Sequence, residues 1–398
     1  MHTLLKCNVS YNTTMAFKIF NRIVLFALLS ACATPSAVED LKSLSAQKPL
    51  RDDGDLDSIM TAALTSLQWS KSIAPTRAFT YADRKYTAAE LTKALTLWIG
   101  HMTAKPTTDP LASIREYFDV YSSTDKDGGI TVTGYYIPTI EGSLKKSKNY
   151  PVPVYPPPAD LLSINLGEFG NDLEGRRIRG RIAATKFVPY YDRSKIRSGI
   201  LDKKVAKPIA WVKNEWDLFN VEIQGTGRLR LPSGKERLLA YADRNGHPYR
   251  SVGKLLVDEK KLSLEQASMQ SIQSYLQKNP KEVGRVLSYN PSFVFFRFSD
   301  EVEGSLGFPL TAGRSVAADQ SVIPAGLPMF LATTGAKKPS TIARKPLKRF
   351  VFNHDSGGAI KGNGRIDYYA GQGRLAGEAA GIMRDDGKLF VFLPKTNL

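Results

Sequence analysis

The 398-residue chain predicts a mainly β fold with helices at its N-terminal end. Three observations lead to that class. Apolar residues at helical spacing are concentrated between Leu56 and about Tyr121. From Ile130 onward, β-branched and aromatic runs alternate with glycine- and proline-rich breaks. Near the C-terminus, His354-Asp355-Ser356-Gly357-Gly358 through Arg365-Ile366-Asp367-Tyr368-Tyr369 sets two carboxylates across a glycine-rich turn between two β-type segments.

The first thirty residues do not belong to the core. Met15 to Arg22 is a basic stretch, and Ile23 to Leu29 is apolar but too short to span a bilayer as a permanent helix. Leu29-Ser30-Ala31-Cys32 completes a pattern that resembles a bacterial lipoprotein signal, cleaved before a lipidated Cys32. Residues 1–14 fit no part of such a signal, and a translation start at Met15 would account for them. An ordinary secretory signal cleaved near Ala33, with Cys32 incidental, is the alternative. Ala33 after the cysteine fits the outer-membrane class, so the expected place is the periplasmic face of a Gram-negative outer membrane. Only Cys7 and Cys32 occur, so cleavage before Cys32 leaves no thiol pair, no disulfide and no cysteine-based metal site. Residues 33–55, polar and proline-containing, read as a tether.

Leu56 to Ser70 carries apolar residues at helical spacing. Thr87-Ala88-Ala89-Glu90 is a capping box opening a second helix through Trp98 and Met102. A third helix is expected from Pro110 to about Tyr121. Ile130 to Pro138 is β-type, and the proline-rich stretch from Tyr150 to Pro158 marks a new region. From there to about residue 299 the pattern predicts strands and turns, with no long helical period until Leu262. Ser263-Leu264-Glu265-Gln266 is a second capping-box candidate for a helix reaching Gln277, before Asn279-Pro280 ends it. Ser292 to Phe298 is an intensely apolar strand, and the remainder is strand-rich with frequent glycine.

The formal charge is +17, which favours polyanions. No zinc finger, recognition helix or arginine-rich tail points to nucleic acid. An exported protein meets carboxylate-bearing wall polymers and anionic lipid instead. His247 and His354 lack metal-ligand spacing and read as structural or groove-polar residues. No nucleotide loop or nucleophile elbow is visible, so neither a metal nor a cofactor is expected.

The acidic segment carries the chemistry. Asp355 is expected where one strand ends, and Asp367 on the next strand, its side chain alternating away from Ile366. Such placement can fix one acid in a groove for proton transfer to a leaving group. Two turn aspartates capping backbone amides are equally compatible with the spacing.

An ordered series of motifs resembles the membrane-bound lytic murein transglycosylase A family. It runs through Thr133-Gly134-Tyr135-Tyr136, Val188 to Arg193, Ile223-Gln224-Gly225-Thr226-Gly227, Asn245 to Lys254, Asn290 to Phe296 and Pro309 to Ser315, and ends in the aspartate segment. The resemblance covers most of residues 110–398. It implies a double-psi β-barrel formed by residues 56–138 and 300–398, a smaller β-barrel inserted at 139–299, and a glycan groove between them. It also implies non-hydrolytic cleavage of the β-1,4 bond between N-acetylmuramic acid and N-acetylglucosamine in peptidoglycan, leaving 1,6-anhydromuramic ends. Asp367 matches the family's catalytic aspartate, and a pKa raised by burial near Tyr368, Tyr369 or Phe352 is expected for it. Asp355 matches a second family aspartate, a positioning or charge-stabilising partner, with a turn cap as the alternative. A third aspartate common in this domain type is replaced by Arg374 in Gly371-Gln372-Gly373-Arg374.

Thr133, Gly134, Tyr135, Tyr136, Gln224, Gly225, Thr226 and Gly227 are candidate groove residues. Strand-core tyrosines and a tight hairpin at 224–227 are the structural alternatives. Wall-synthesis or division proteins are possible partners for the basic surface. Two other classes compete with the enzyme reading: a wall-binding protein without turnover, and a hydrolase of another β-linked polysaccharide. Product identity separates the three.

Overall fold

The computed structural model describes residues 51–105, 110–124, 128–173, 176–201, 205–264, 266–336 and 345–398. Cys32 and the leader around it lie outside the described residues. The chain opens with α1 (Leu56–Ser72), the hairpin β1 (Ala78–Tyr81) and β2 (Arg84–Thr87), then α2 (Ala88–Ala104) and α3 (Pro110–Tyr117). Asp55 caps α1 by accepting from the Ser58 N–H, and the Thr87–Glu90 capping box closes in both directions on α2. Each cap satisfies amide donors that the first helical turn leaves open, and contributes about 1 kcal/mol. Leu91, Leu95, Trp98 and Met102 form the buried stripe of α2.

The third helix stops at Tyr117, short of the expected Tyr121, because Phe118–Ser123 is the strand β3. Its alternation buries Phe118 and Val120, and its pairing with the last strand overrides the local helical pattern. There follow β4 (Ile130–Ile137), β5 (Thr139–Ser143), β6 (Val152–Val154), β7 (Leu162–Asn165), β8 (Arg177–Ala183) and β9 (Lys186–Pro189). Next are α4 (Arg193–Arg197), β10 (Ala210–Val212), α5 (Glu215–Gln224), β11 (Thr226–Arg230) and β12 (Glu236–Arg244). Three helices, α6 (Val252–Asp258), α7 (Met269–Lys278) and α8 (Val283–Ser288), precede β13 (Val294–Ser299). The chain ends with β14 (Ser315–Ala317), β15 (Pro328–Ala336), β16 (Lys348–Asp355), β17 (Arg365–Gln372), α9 (Gly373–Gly381) and β18 (Arg384–Pro394).

Two helical expectations need correction. The stretch before Leu262 is not all strand and turn, since α4, α5 and α6 lie in it. Asn214 caps α5 by accepting from the Asp217 N–H, and Gly225 ends it in the left-handed conformation at φ 80°. The later helix starts at Met269 under the cap of Ser268, not at Leu264, which lies exposed in the preceding turn.

The strand order β15-β16-β14-β17-β4-β18, with β18 pairing back to β15, closes a six-stranded barrel; β3 adds to the outside of β18. Parallel pairs (β14–β16, β17–β4) interleave with antiparallel ones, and closure removes the exposed edges of an open sheet. Phe330, Phe350, Phe352 and Phe392 belong to the main core, where Trp98 of α2 packs against Phe350 and Phe352. Buried Arg314 binds Asp52 in a two-pronged ion pair and ties the start of the described chain to the barrel. A second sheet, β13-β12-β11-β5-β10-β6, has its own core around Val212, Leu229, Leu239 and Phe296, and β7-β8-β9 form a third.

Candidate active site

The barrel register sets up the site. Asp355 on β16 and Asp367 on β17 are both register partners of Ala317 on the strand between them. Asp367 in turn faces Thr133 on β4, and Thr133 faces Arg384 on β18. Asp355, Ala317, Asp367, Thr133 and Arg384 therefore form one row across the outer wall of the barrel. The two acids stand two strand spacings apart, roughly 10 Å between backbones. The small Ala317 leaves the floor between them low.

Asp367 is half-buried and accepts a 2.6 Å hydrogen bond at Oδ1 from the Thr133 hydroxyl. Burial pushes its carboxyl above the usual range, while the Thr133 donor and the Arg365 cation pull it back only in part. Arg365 sits two residues earlier on the same strand, hence on the same face, and its Nη2 donates to Thr133 Oγ1 at 3.4 Å. The chain Arg365–Thr133–Asp367 directs the hydroxyl hydrogen toward the acid.

Asp355 is held from three sides. Its Oδ1 accepts from the backbone N–H groups of Ser305 and Ser356, each at 2.8 Å, and its Oδ2 accepts from the Tyr135 hydroxyl at 3.0 Å. Burial still raises its pKa to about 6, helped by the negative field of Asp367. The capping geometry expected of a turn aspartate and the position beside Asp367 are thus both present. Tyr135 packs 5.2 Å from Tyr369, centroid to centroid, in a small cluster with Ala317 and Leu238 under the site.

Of the three aromatic residues named for the burial of Asp367, Tyr369 joins Ala317 in the cluster under the site, whereas Tyr368, a register partner of Val316, lies on the opposite face and Phe352 packs against Trp98. Of the other candidates, Thr133 and Tyr135 touch the acids. Gly134 serves packing instead: a Cβ there would lie 2.9 Å from Cα of Ala380 in α9. The Tyr136 N–H donates to Gln224 Oε1, and its hydroxyl accepts from Asn220, joining β4 to α5. Residues 224–227 are the end of α5 and the start of β11, not a hairpin. Gly227 is pressed against Val221, and Thr226 is buried.

His354 is fully buried between the hydroxyls of Ser66 and Ser315, stacked on Phe352, and its pKa falls to about 3. His247 bonds the Tyr190 carbonyl at 2.7 Å. Arg374 is exposed at the start of α9 and pairs with Glu378 one turn on. Among the described residues, no group of three or more His, Cys, Asp or Glu side chains is placed to hold a metal ion. Sequence reading missed Arg365, which the two-residue period of β17 would have placed beside Asp367, and Ser305, which no local signal marks.

Comparison with known proteins follows the same layout. Residues 131–297 match the MltA specific insert domain, and residues 314–393 match the 3D domain. A crystal structure of MltA from Neisseria gonorrhoeae superposes at TM-score 0.66 with 30% identity, covering 85% of this chain and 89% of that one. The chain belongs to the membrane-bound lytic murein transglycosylase A family. Membrane-bound lytic murein transglycosylase A of Escherichia coli strain K12 is 31% identical over 271 residues, 67% of this chain and 66% of that protein. This chain thus spans just under two thirds of that curated relative. A membrane-bound lytic murein transglycosylase from Agrobacterium tumefaciens gives a TM-score of 0.74 at 28% identity, covering 91% of this chain and 97% of that one. Escherichia coli MltA with bound chitohexaose gives 0.60 at 26% identity, covering 77% and 83%. In this member of the family, the 3D-domain match runs from Arg314 to Leu393 and so contains both aspartates.

Proposed function

We propose that this protein is a lytic transglycosylase that cleaves the β-1,4 bond between N-acetylmuramic acid and N-acetylglucosamine of peptidoglycan. The observation that carries the reading is Asp367: a half-buried acid of raised pKa, oriented by Thr133, on the barrel of this family. The chitohexaose bound to the Escherichia coli relative supports a β-1,4-linked amino-sugar strand as substrate.

In the reaction, protonated Asp367 donates its proton to the glycosidic oxygen, so the C1–O4 bond breaks with a neutral leaving group. The carboxylate that remains accepts the proton of the muramic C6 hydroxyl as that oxygen bonds to C1. The product is the 1,6-anhydro ring, and Asp367 ends protonated again. One carboxyl suffices because the nucleophile is tethered to the reacting sugar, which removes much of the entropic cost of attack. Acid–base assistance of this kind is worth roughly 10²–10⁴-fold. Asp355, fixed by Tyr135 and two backbone amides, serves as the charged partner beside the ring. Thr133 and Tyr135 act through the two acids, while Tyr136 with Gln224 to Gly227 joins the two lobes that border the groove.

The chain divides in this reading into a catalytic barrel (56–138 and 300–398) and an inserted lobe (139–299), behind a tether (33–55). The membrane-bound relatives support attachment through lipid on Cys32 to the periplasmic face of the outer membrane. Wall-synthesis or division proteins remain candidate partners for the basic surface.

The test is mass spectrometry of soluble products from isolated murein sacculi digested by the native protein and by Asp367→Asn. Anhydro-ended muropeptides from the native form and none from the variant are expected. Reducing ends would make the protein a hydrolase. No product from a folded native form would leave a binding protein.

A further inference from the structure

The row that carries Asp367 ends in a cation. Thr133 of β4 faces Asp367 of β17 on one side and Arg384 of β18 on the other, so all three side chains share the outer wall of the barrel. Met383 and Asp385, the chain neighbours of Arg384, are buried, whereas Arg384 is exposed, as strand alternation requires. Its backbone lies two strand spacings from that of Asp367, roughly 10 Å, with only the short Thr133 between them. Among the described residues the Arg384 guanidinium makes no hydrogen bond or ion pair.

The charges around it are engaged elsewhere. One rung along, Arg365, Thr131 and Asp386 form a second row, with acid and base in the reverse order. Asp386 makes no ion pair with Arg384, and Arg365 is turned to Thr133. Arg374 of α9 is paired with Glu378, and Arg228 of β11 with Glu236. At a net charge of +17 many cations must lack partners, and what sets Arg384 apart is its place in the row of the acid. A guanidinium so placed suits an anionic group on the ligand, and it takes a carboxylate through two parallel N–H donors.

We propose that Arg384 is a specificity residue that binds a carboxylate on the muramic arm of the glycan strand; the choice of strand rests on the functional reading above. In murein only every second sugar carries that arm, and only every second β-1,4 bond is the one to be cut. A cation at a set distance from Asp367 distinguishes the two kinds of bond. The arm presents a carboxylate in one of two ways: the lactyl group itself where the peptide is missing, or the peptide stem where it is attached. An uncharged chito-oligomer offers neither.

Calorimetric titration of the full chain, in the Asp367→Asn background to stop turnover, tests it. Three probes differ only in the arm: peptide-bearing glycan strands, strands stripped by amidase to the lactyl carboxylate, and stripped strands whose carboxylate is converted to a methylamide. The readout is the affinity for each charged strand relative to the methylamide strand. Arg384→Gln is expected to cut that ratio about tenfold for at least one charged strand, and Arg384→Lys to keep most of it. A cut for stripped strands assigns the lactyl carboxylate, and a cut for peptide-bearing strands assigns the stem. Lys186→Gln removes an exposed charge on β9 and controls for net charge. An unchanged ratio in Arg384→Gln, an equal cut in Lys186→Gln, or no binding of any strand overturns the proposal. Should the native protein form no anhydro products while the ratio still depends on Arg384, the catalytic reading falls and this one stands.

Discussion

At the scale of single residues, the site rests on two carboxyls whose environments differ. Asp355 has pKa of about 6 against 3.8 when free. The folded protein thus holds that proton more tightly than the unfolded chain does. Its ionisation costs stability, and this cost grows as pH rises from 3.8 through about 6 and is complete above it. Asp355→Asn is expected to remove that part of the pH dependence, so urea unfolding should show the variant gaining relative to the native protein between acidic and mildly alkaline pH. An unchanged difference across that range would deny the raised pKa. Asp367 carries a second pH prediction. In the proposed reaction its acid form gives the first proton, so on that reading the initial rate should fall as pH passes its pKa. The Arg365 cation lowers that pKa, both directly and by orienting the Thr133 donor. Arg365→Met is therefore expected to move the alkaline fall in rate to higher pH, while Arg365→Lys keeps the charge and most of the native profile. A purely structural Arg365 would lower the rate in Arg365→Met without moving the profile.

At the scale of elements, what the sequence makes legible depends on how local the cause is. The capping box at Thr87 was readable because all its partners lie within one turn. The strands bearing Asp355 and Asp367 were readable because their alternation and glycine-rich turn are local too. Helix α5 was obscured by its density of apolar residues, with Trp216, Leu218, Phe219 and Val221 buried on a short helix. Its cap, Asn214, and its terminator, Gly225, were the available signals. β3 was misread because its strand character comes from β18, far away in the chain. Gly134 was a candidate groove residue, yet its missing side chain admits α9. Adding a methyl group at 2.9 Å from Cα of Ala380 forces helix and strand apart. Gly134→Ala is expected to destabilise by about 1–3 kcal/mol, the range for overpacked cores, and to shift the urea midpoint without changing its slope. A neutral effect would mean that α9 is loosely seated.

At the scale of the molecule, the two sheets have separate cores but share the cluster of Tyr135, Ala317 and Tyr369 with Leu238. Polar bridges reinforce the junction, from Arg228 to Gln372 and from Gln270 to the Gly377 carbonyl. No sequence period announces such a junction, since its contacts join residues far apart in the chain. The net charge of +17, by contrast, is plain from composition, and its consequence is long-range. Murein, the substrate proposed above, carries carboxylates on its peptide stems, and on that reading a strongly basic protein is drawn to it before close contact forms. Salt should suppress that attraction. Between about 0.1 M and about 1 M ionic strength the screening length falls from ~10 Å to ~3 Å, short of the distance across a groove. Binding to isolated sacculi, measured by co-sedimentation of Asp367→Asn, is expected to weaken steeply over that range. The rate at saturating substrate should change little, because the Asp367–Thr133 contact is short, half-buried and poorly screened. If binding proved independent of salt while the rate fell, the charge would be acting at the acid itself rather than on the approach of the wall.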